Sequence, residues 1–421
     1  MTSLRKKKVV GRRAGQDAQR AVVAGKKNDD GQKKQNESSK KNPTRFKKNF
    51  AKALKKKNSK TKRLWVAEFF FPQSSKKKAM MKRIGVVYSK SILGSDLLNV
   101  ANAAEVIPLE KELLKQGVEV VRIVWDPLEE MDAQKQVAEW SELQLEHVLV
   151  RYVWFYHLHN ASFLRFLEIA SKQCKWQLYN HEALIQWNCD KKYLIELHNK
   201  DERITIPPTV ILKQHEFQMQ HQQSSSGTKQ VLKAVLDSKG YTNWDHVVLK
   251  PTISACGDFT VQTKLSGECK DDADSVEQTL DAIWSVKGRD VLVQPFLTSF
   301  SAGGNGEMNL VFFNGIFSHA YSKIALVSEA KEAAVVFPIT SANMARTPTQ
   351  PTDAEIVWAE RIVQTAASLT GHMPLVARID MTLDNEGQLV LTEFEAIEPC
   401  LNLDSSSLAK FVQAILSRVQ Q

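Results

Sequence analysis

The chain has 421 residues, of which 43% are hydrophobic, 8% aromatic and 25% charged, a composition typical of a soluble globular protein. This excludes collagen-like and low-complexity classes, and the length predicts roughly two to four domains. No stretch approaches the ~18 to 20 uncharged apolar residues of a membrane helix, and the amino terminus lacks the apolar core of a secretory signal. We therefore expect neither a membrane protein nor a secreted one.

The net charge of +10 is unevenly distributed along the chain. Residues 1–63 carry 23 Lys or Arg against four acids, a net +19, whereas residues 64–421 carry 34 against 43, a net −9. The basic part also has few large apolar residues, so it cannot bury enough surface to offset its chain entropy. We expect a disordered basic tail over 1–80 and ordered structure from about Met81.

The basic tail leaves its partner open. Clusters such as Arg5–Lys8 and Lys55–Lys57 resemble nuclear or nucleolar addresses, and they could attract nucleic acid phosphates. A solvated tail without a partner is the alternative. Five cysteines without a CxxC pair favour a reducing compartment. The expected location is cytoplasmic, or nuclear or nucleolar through the tail.

After the tail, short β-branched runs alternate with helical periods, which predicts an α/β fold. We expect strands at 83–88, 118–125, 147–154 and 176–179, with helices at 96–116 and 161–172. These elements predict an amino-terminal open parallel α/β domain over 81–182.

The remaining chain predicts two further α+β units, over 183–296 and 297–421. We expect helices at 183–199, around 235, at 274–286 and at 352–369, and strands at 210–212, 247–250, 260–264, 291–295, 308–313 and 315–323. The Gln- and Ser-rich segment 215–229 predicts an exposed loop. A last hairpin is expected to pair 375–382 with 388–394.

Four charged residues on that hairpin carry the strongest chemical signal. Arg378 and Asp380 share one face of their strand, and Glu393 and Glu395 share a face of the next. Clustered carboxylates repel each other unless a hard cation neutralises them, which indicates a Mg²⁺ site with a nucleotide triphosphate alongside. The alternative is an exposed acidic edge with Arg378 as its ion-pair partner.

Three further segments indicate nucleotide binding. Lys250 ends an apolar strand and is followed by a loop of small residues, Thr252 to Asp258, which could close over phosphates. Lys191 lies near the start of a helix. The apolar strand 291–295 continues into Phe296 and Leu297, and Glu307 enters the next strand.

In this order, the segments resemble the ATP-grasp superfamily over roughly residues 83 to 415. The thirteen-residue interval between Asp380 and Glu393, and Arg378 two positions before Asp380, resemble D-alanine–D-alanine ligases. The resemblance implies that two domains clasp ATP. By this resemblance, Lys191 and Lys250 look like the phosphate-binding lysines, together with the loop residues Ser254 and Gly257. The adenine-binding hinge looks like Gln294, Pro295, Phe296 and Leu297. Glu307 looks like the ribose ligand. Asp380, Glu393 and Glu395 look like the Mg²⁺ ligands, with Mn²⁺ as an alternative.

Two departures from the family pattern stand out. Many members end with Glu-x-Asn, whereas this chain has Glu393-Phe394-Glu395, an ending similar to the glutathione-synthetase-like branch that includes the cyclo-ligase of cycloserine biosynthesis. The phosphate loop holds Cys256 and Asp258 where many relatives have Gly and Ser. An acid beside a triphosphate would repel it, so Asp258 is expected to point away.

The resemblance implies a carboxylate–amine ligase that forms an acyl phosphate and ADP. Lys250 would hold the phosphates, and Arg378 would stabilise charge on the phosphoryl group and the oxyanion. Lys323 could face the triphosphate or an acidic substrate, with simple exposure as the alternative. The implied substrates are a small carboxylic acid and an amine, and relatives are often homodimers.

Two rival hypotheses remain open from the sequence. One is a catalytically degenerate ATP-grasp protein tethered to RNA or chromatin by its tail; the other is a nucleic-acid-binding protein that depends on residues 1–63 alone. We discount three further motifs. His157 and His159 alternate like metal ligands, but we expect them at the surface or in a supporting role. The Gly303–Gly306 turn is not a phosphate loop, because no helix follows it, and Cys256 is not expected to be a nucleophile, because no His lies close to it in sequence.

Overall fold

The computed structural model describes residues 81–90, 105–126, 133–255, 257–266, 270–285, 289–301, 304–323, 328–329 and 346–420. The predicted tail over 1–80 lies outside these residues, as do Cys256, Gly303 and most of the first half of the expected helix 96–116. None of the helices in these ranges is long and apolar enough to cross a membrane.

The first sheet is fully parallel, as the alternating pattern predicts. Its strands are β1 (Lys82–Ser89), β2 (Val118–Trp125), β3 (His147–Val150) and β4 (Gln177–Tyr179), in the order β2-β1-β3-β4. The helices between them are α1 (Val106–Lys115), α2 (Ala133–Ser141) and α3 (Asn160–Glu168). The last six residues of β1 are buried, since apolar side chains cover both faces of a parallel sheet.

The second sheet follows two connecting helices, α4 (Glu182–Asn188) and α5 (Tyr193–Lys200). Its strands are β5 (Val210–Leu212), β6 (His246–Pro251), β7 (Val261–Lys264), β8 (Val291–Pro295) and β11 (Ser328–Glu329), in the order β11-β7-β6-β8-β5. Helices α6 (Gln214–Gln222), α7 (Thr228–Ser238) and α8 (Lys270–Trp284) belong to this region. The pairs are antiparallel except that between β7 and β11.

The exposed loop expected over 215–229 was wrong, because α6 occupies most of it and α7 begins at Thr228. Gln is a good helix former, and a single buried residue, Phe217, anchors α6 to the neighbouring core. The composition of this segment indicates exposure correctly but does not exclude a helix.

The third sheet holds the predicted carboxy-terminal hairpin. Its strands are β9 (Glu307–Phe313), β10 (Ile316–Lys323), β12 (Arg346–Thr349), β13 (Val376–Leu383) and β14 (Leu389–Glu395), in the order β12-β10-β9-β13-β14. Two helices accompany it, α9 (Asp353–Thr370) and α10 (Ser405–Val419). The Asn314–Gly315 turn has φ of 51° and 77°, as the dipeptide predicts.

The predicted boundaries at 182 and 296 remain predictions. The first sheet lies within 81–182 and the third within 297–421, but β11 comes from the last region and pairs with β7 in the second sheet.

One buried side chain fastens the first sheet to the third. Asn180, directly after β4, donates from Nδ2 to the carbonyls of Val376 and Ala396 at 2.7 and 2.6 Å. Its Oδ1 accepts the N–H groups of Leu375 and Val376. The amide therefore satisfies backbone groups of both β13 and the segment after β14, and so fixes the hairpin against the parallel domain.

We expect Asn180→Ala to lower the free energy of unfolding by about 3 kcal/mol, because it leaves buried backbone groups without partners. Urea denaturation measures the change. Asn199→Ala, at an exposed position in α5, is the matched control and should change stability by less than about 0.5 kcal/mol. Equal stability of the two variants would contradict the role of Asn180.

Candidate active site

The carboxylates on β13 and β14 meet as the residue spacing predicts. Asp380 is paired with Glu393 across the two strands, and Arg378 with Glu395. Asp380 is completely buried, so the alternative of an exposed acidic edge is wrong. A buried carboxylate pair needs compensating positive charge.

Three cations supply this charge. Arg378 donates to both oxygens of Asp380 at 2.6 and 2.8 Å, and its Nη2 lies 3.7 Å from Glu393. Lys323 Nζ lies 2.9 Å from Glu307 and 3.2 Å from Asp380. The alternative of simple exposure for Lys323 is wrong, because it bridges two acids on neighbouring strands.

The third cation comes from a distant part of the chain. Lys191, just before α5, donates from Nζ to Glu393 at 2.8 Å and to the carbonyl of Ser254 at 2.9 Å. Lys191 and Glu393 are 202 residues apart in sequence. Their contact joins the phosphate loop to the acidic hairpin in one site.

The pKa values follow from this arrangement. Burial opposes the charge of Glu393, but Lys191 and Arg378 outweigh it and hold the pKa of this carboxyl well below its usual range. Burial and the charge of Glu393 raise the pKa of Glu395. Burial likewise opposes the charge of Lys323, but Asp380 and Glu307 raise the pKa of this lysine above its usual value.

The acidic residues suit a hard cation in part. Among the described residues, no three His, Cys, Asp or Glu side chains converge as a ready-made cage. Asp380 and Glu393 both face Arg378, whereas Oε1 of Glu395 accepts the N–H groups of Ile397 and Glu398. Two carboxylates completed by phosphate oxygens are a set that Mg²⁺ accepts, so the residues fit this metal together with a nucleotide.

The predicted phosphate loop lies against Lys191. The N–H of Lys191 donates to the carbonyl of Thr252 at 2.7 Å, and Ser254 is buried with its hydroxyl on the carbonyl of Pro251. Gly257 has φ of +75°, a conformation that favours glycine. Lys250 ends β6 directly before this loop.

Lys250 has an altered acidity. Burial lowers the pKa of Lys250 to about 8, and the charge of Lys191 acts in the same direction, while Glu393 and Glu307 oppose it. An amine with this pKa is protonated at neutral pH and can form an ion pair with an anion, but it loses its charge at mildly alkaline pH.

The predicted adenine hinge, residues 294–297, is largely buried, and several of its polar groups already form hydrogen bonds within the protein. The N–H of Phe296 donates to the carbonyl of His246, and the carbonyl of Phe296 accepts from Asn385. Gln294 donates to Thr209 at 2.8 Å. The carbonyl of Leu297 accepts the N–H of Phe300.

Glu307, the predicted ribose ligand, is buried at the start of β9. The hydroxyl of Thr392 donates to its Oε1, and Asn309 lies 3.4 Å from its Oε2. Glu307 thus takes part in the same charge network as Asp380, through Lys323.

Sequence reasoning missed the residues that hold the hairpin. Asn188, in α4, donates to the carbonyl of Phe394 and accepts the N–H of Ala396, both at 2.7 Å. The hydroxyl of Tyr193 accepts the N–H of Phe394. The hydrogen bonds of Asn188 join positions about 200 residues apart, so no local pattern in the sequence indicates them.

Asp258 is turned toward His157, whose Nε2 lies 3.5 Å from Asp258 Oδ2. His157 is buried, so of the two expected positions, at the surface or in support, the surface one does not apply to this residue.

We expect the affinity for a nucleotide triphosphate to fall as pH rises above about 8. Below that value Lys250 is charged in the free protein; above it, binding must first protonate the amine, which weakens affinity by up to about tenfold per pH unit. Calorimetric titration with Mg²⁺ and a non-hydrolysable ATP analogue, from pH ~7 to pH ~9.5, measures this. Lys250→Arg, which stays charged, should flatten the profile. An equally steep fall in this variant would assign the effect to another group.

Comparison with known proteins gives a consistent result. No family model matches the chain. The cycloserine biosynthesis protein DcsG of Streptomyces lavendulae is 27% identical over 306 residues, which span 72% of this chain and 92% of that protein. The crystal structure of D-cycloserine synthetase DcsG covers 80% of this chain and 99% of its own, with a TM-score of 0.61 and 22% identity. That of the D-alanine–D-alanine ligase from Bacillus anthracis complexed with ATP covers 80% and 97%, with a TM-score of 0.51 and 13% identity. The chain therefore has the fold of these two proteins, the ATP-grasp fold, which confirms the fold class that its motifs predict.

Proposed function

We propose that the protein is an ATP- and Mg²⁺-dependent ligase that joins a carboxylic acid to an amine and releases ADP and phosphate. The observation that carries this proposal is the contact of Lys191 with Glu393, which brings the phosphate loop and the acidic hairpin together. The fold supports it, as does the likeness to a D-cycloserine synthetase and a D-alanine–D-alanine ligase.

The nucleotide would lie between the second and third sheets. Lys191 and Lys250 would bind its phosphates, with the loop around Ser254 and Gly257 closing over them. Gln294 to Leu297 would flank adenine, and Glu307 would accept hydrogen bonds from the ribose hydroxyls.

Asp380 and Glu393 would hold Mg²⁺, with Glu395 as a further oxygen donor. A bound Mg²⁺ would neutralise phosphate oxygens and so make the terminal phosphorus easier to attack. Lys191 and Lys323 now pair with acids that a metal would take over. Binding of Mg²⁺ and ATP would release these lysines to the phosphates, so that every charge keeps a partner.

Two displacements would complete the reaction. An oxygen of the substrate carboxylate attacks the terminal phosphorus, and the bond to the ADP oxygen breaks to leave an acyl phosphate. The amine nitrogen then attacks the acyl carbon, loses a proton, and phosphate departs with the former carboxylate oxygen. Arg378 lies beside Asp380 and Glu393, where its guanidinium can stabilise charge on the phosphoryl oxygens and on the tetrahedral oxyanion.

We expect Asp380→Asn to abolish phosphate release from Mg²⁺-ATP, a loss of at least about a thousandfold, because the neutral amide is a weaker metal ligand and removes the closer of the two acids that pair with Arg378. The measurement is phosphate release with a panel of amino acids, small carboxylic acids and peptides, which also identifies the substrates. Glu386→Gln, at an exposed position in the turn of the same hairpin, is the matched control and should keep full activity.

Unchanged turnover in folded Asp380→Asn would refute the metal role of this residue. The degenerate alternative is not favoured, because Lys250, Arg378, Asp380 and Glu393 are all present and Lys191 contacts the acids. Nucleic acid contact and nuclear targeting depend on residues 1–63, outside the described residues, and homodimer formation likewise stays a prediction.

A further inference from the structure

Three polar side chains meet outside the charge network described above. His157 follows β3, Asp258 belongs to the phosphate loop, and Arg289 precedes β8. Arg289 donates from Nη2 to the carbonyl of His157, and Asp258 faces His157 Nε2. His157 is 6% exposed and Arg289 only 4%. The cluster therefore joins the parallel domain to the phosphate loop in a buried position.

Several polar atoms of this cluster are unsatisfied. In the part of the chain that the structure describes, Nε and Nη1 of Arg289, Nδ1 of His157 and Oδ2 of Asp258 have no hydrogen-bond partner. A guanidinium cannot release its proton, so burial of its unpaired N–H groups is unfavourable. Unsatisfied buried donors of this kind are rare and indicate a missing partner that accepts hydrogen bonds.

The cluster lies next to the reaction site. The N–H of Thr252 donates to the carbonyl of Asp290, the neighbour of Arg289, and the carbonyl of Thr252 accepts from Lys191. On the other side, Tyr156, the neighbour of His157, is buried, and after burial the charge of Glu395 raises the pKa of its hydroxyl. Residues adjacent in sequence to the cluster thus contact the phosphate loop and feel the charge of the acidic hairpin.

The loop also leaves room at this point. Gly257, next to Asp258, has no atom of the described residues within 4 Å of the position that a Cβ would take. The described residues therefore leave space beside Gly257, the neighbour of Asp258.

We propose that Arg289, with His157, binds an anionic group of the carboxylate class on one of the two substrates, apart from the carboxylate that reacts. This proposal rests on the proposed function and adds to it a substrate property: one substrate carries an acidic group that is recognised and not consumed. The carboxylate of Asp258, whose Oδ2 lies 3.5 Å from His157 Nε2, borders the site.

The test uses acetate as the probe and its neutral isostere acetamide as the control ligand. The full chain is saturated with Mg²⁺ and a non-hydrolysable ATP analogue, and binding is followed by ligand-observed NMR. We expect saturable acetate binding, no comparable binding of acetamide, and acetate affinity lowered at least about tenfold in Arg289→Gln.

Two further variants make the result specific. Lys192→Gln removes a neighbouring cation that pairs with Asp290, and it should leave acetate affinity within about twofold. Arg289→Lys keeps the charge and should weaken acetate binding less than Arg289→Gln; it also serves if Arg289→Gln does not fold.

Three outcomes would overturn the proposal. The first is no saturable acetate binding in the wild type, and the second is acetate affinity in Arg289→Gln and Arg289→Lys equal to that of the wild type. The third is acetate binding that occurs without the ATP analogue and is lost when the analogue is added, which would assign the cluster to a nucleotide phosphate. Nucleotide binding and phosphate release are measured on the same preparation. Their absence would refute the ligase function, whereas failure of acetate binding alone would refute only the anion site.

Discussion

The structure depends on the pairing of buried charges in the third sheet. Glu307, Asp380 and Glu393 lie against Lys191, Lys323 and Arg378, three acids against three bases. Removing an ion from water is unfavourable by several kcal/mol, so none of these side chains could be buried alone. In the proposed function, the same constraint would let the site receive a polyanion and a divalent cation, because a new charge of either sign would find a partner as the existing pairs separate.

The hairpin must be held rigidly for this arrangement to persist. Asn180, Asn188 and Tyr193 reach it from the chain between the first and second sheets, and each satisfies backbone groups at its carboxyl end. The carboxylate oxygens of the hairpin are therefore positioned by the backbone of β13 and β14 and by buried amides that have few other conformations available. Such support from surrounding residues is what an active site of fixed geometry requires.

The sequence predicts most of the architecture and the charged centre, for a physical reason. Buried strands leave runs of apolar residues, and a two-residue alternation places Arg378 and Asp380 on one face whatever surrounds them. The loop expected over 215–229 failed because composition reports exposure rather than backbone conformation. Helices α2 and α10 were not predicted, although Asp404 caps α10 with Ser407.

Contacts between distant parts of the chain could not be predicted. Arg289 and His157 are 132 residues apart, and Asn180 and Ala396 are 216 apart, so no local pattern joins them. The resemblance to the ATP-grasp superfamily supplied the convergence of Lys191 and Lys250 with the hairpin, which periodicity alone does not contain. It did not indicate the cluster at Arg289, because Arg289 and His157 belong to none of the segments that carry the resemblance.

The short strand β11 has a mechanical consequence. Ser328 and Glu329 follow β10 by a few residues, yet they pair with Val261 and Gln262 at the outer edge of the second sheet. The segment that follows Lys323 is thus paired with β7, the strand that follows the phosphate loop. In the proposed function, a displacement of the phosphate loop and β7 would therefore also shift the segment that follows Lys323, so that the loop and this lysine would move together.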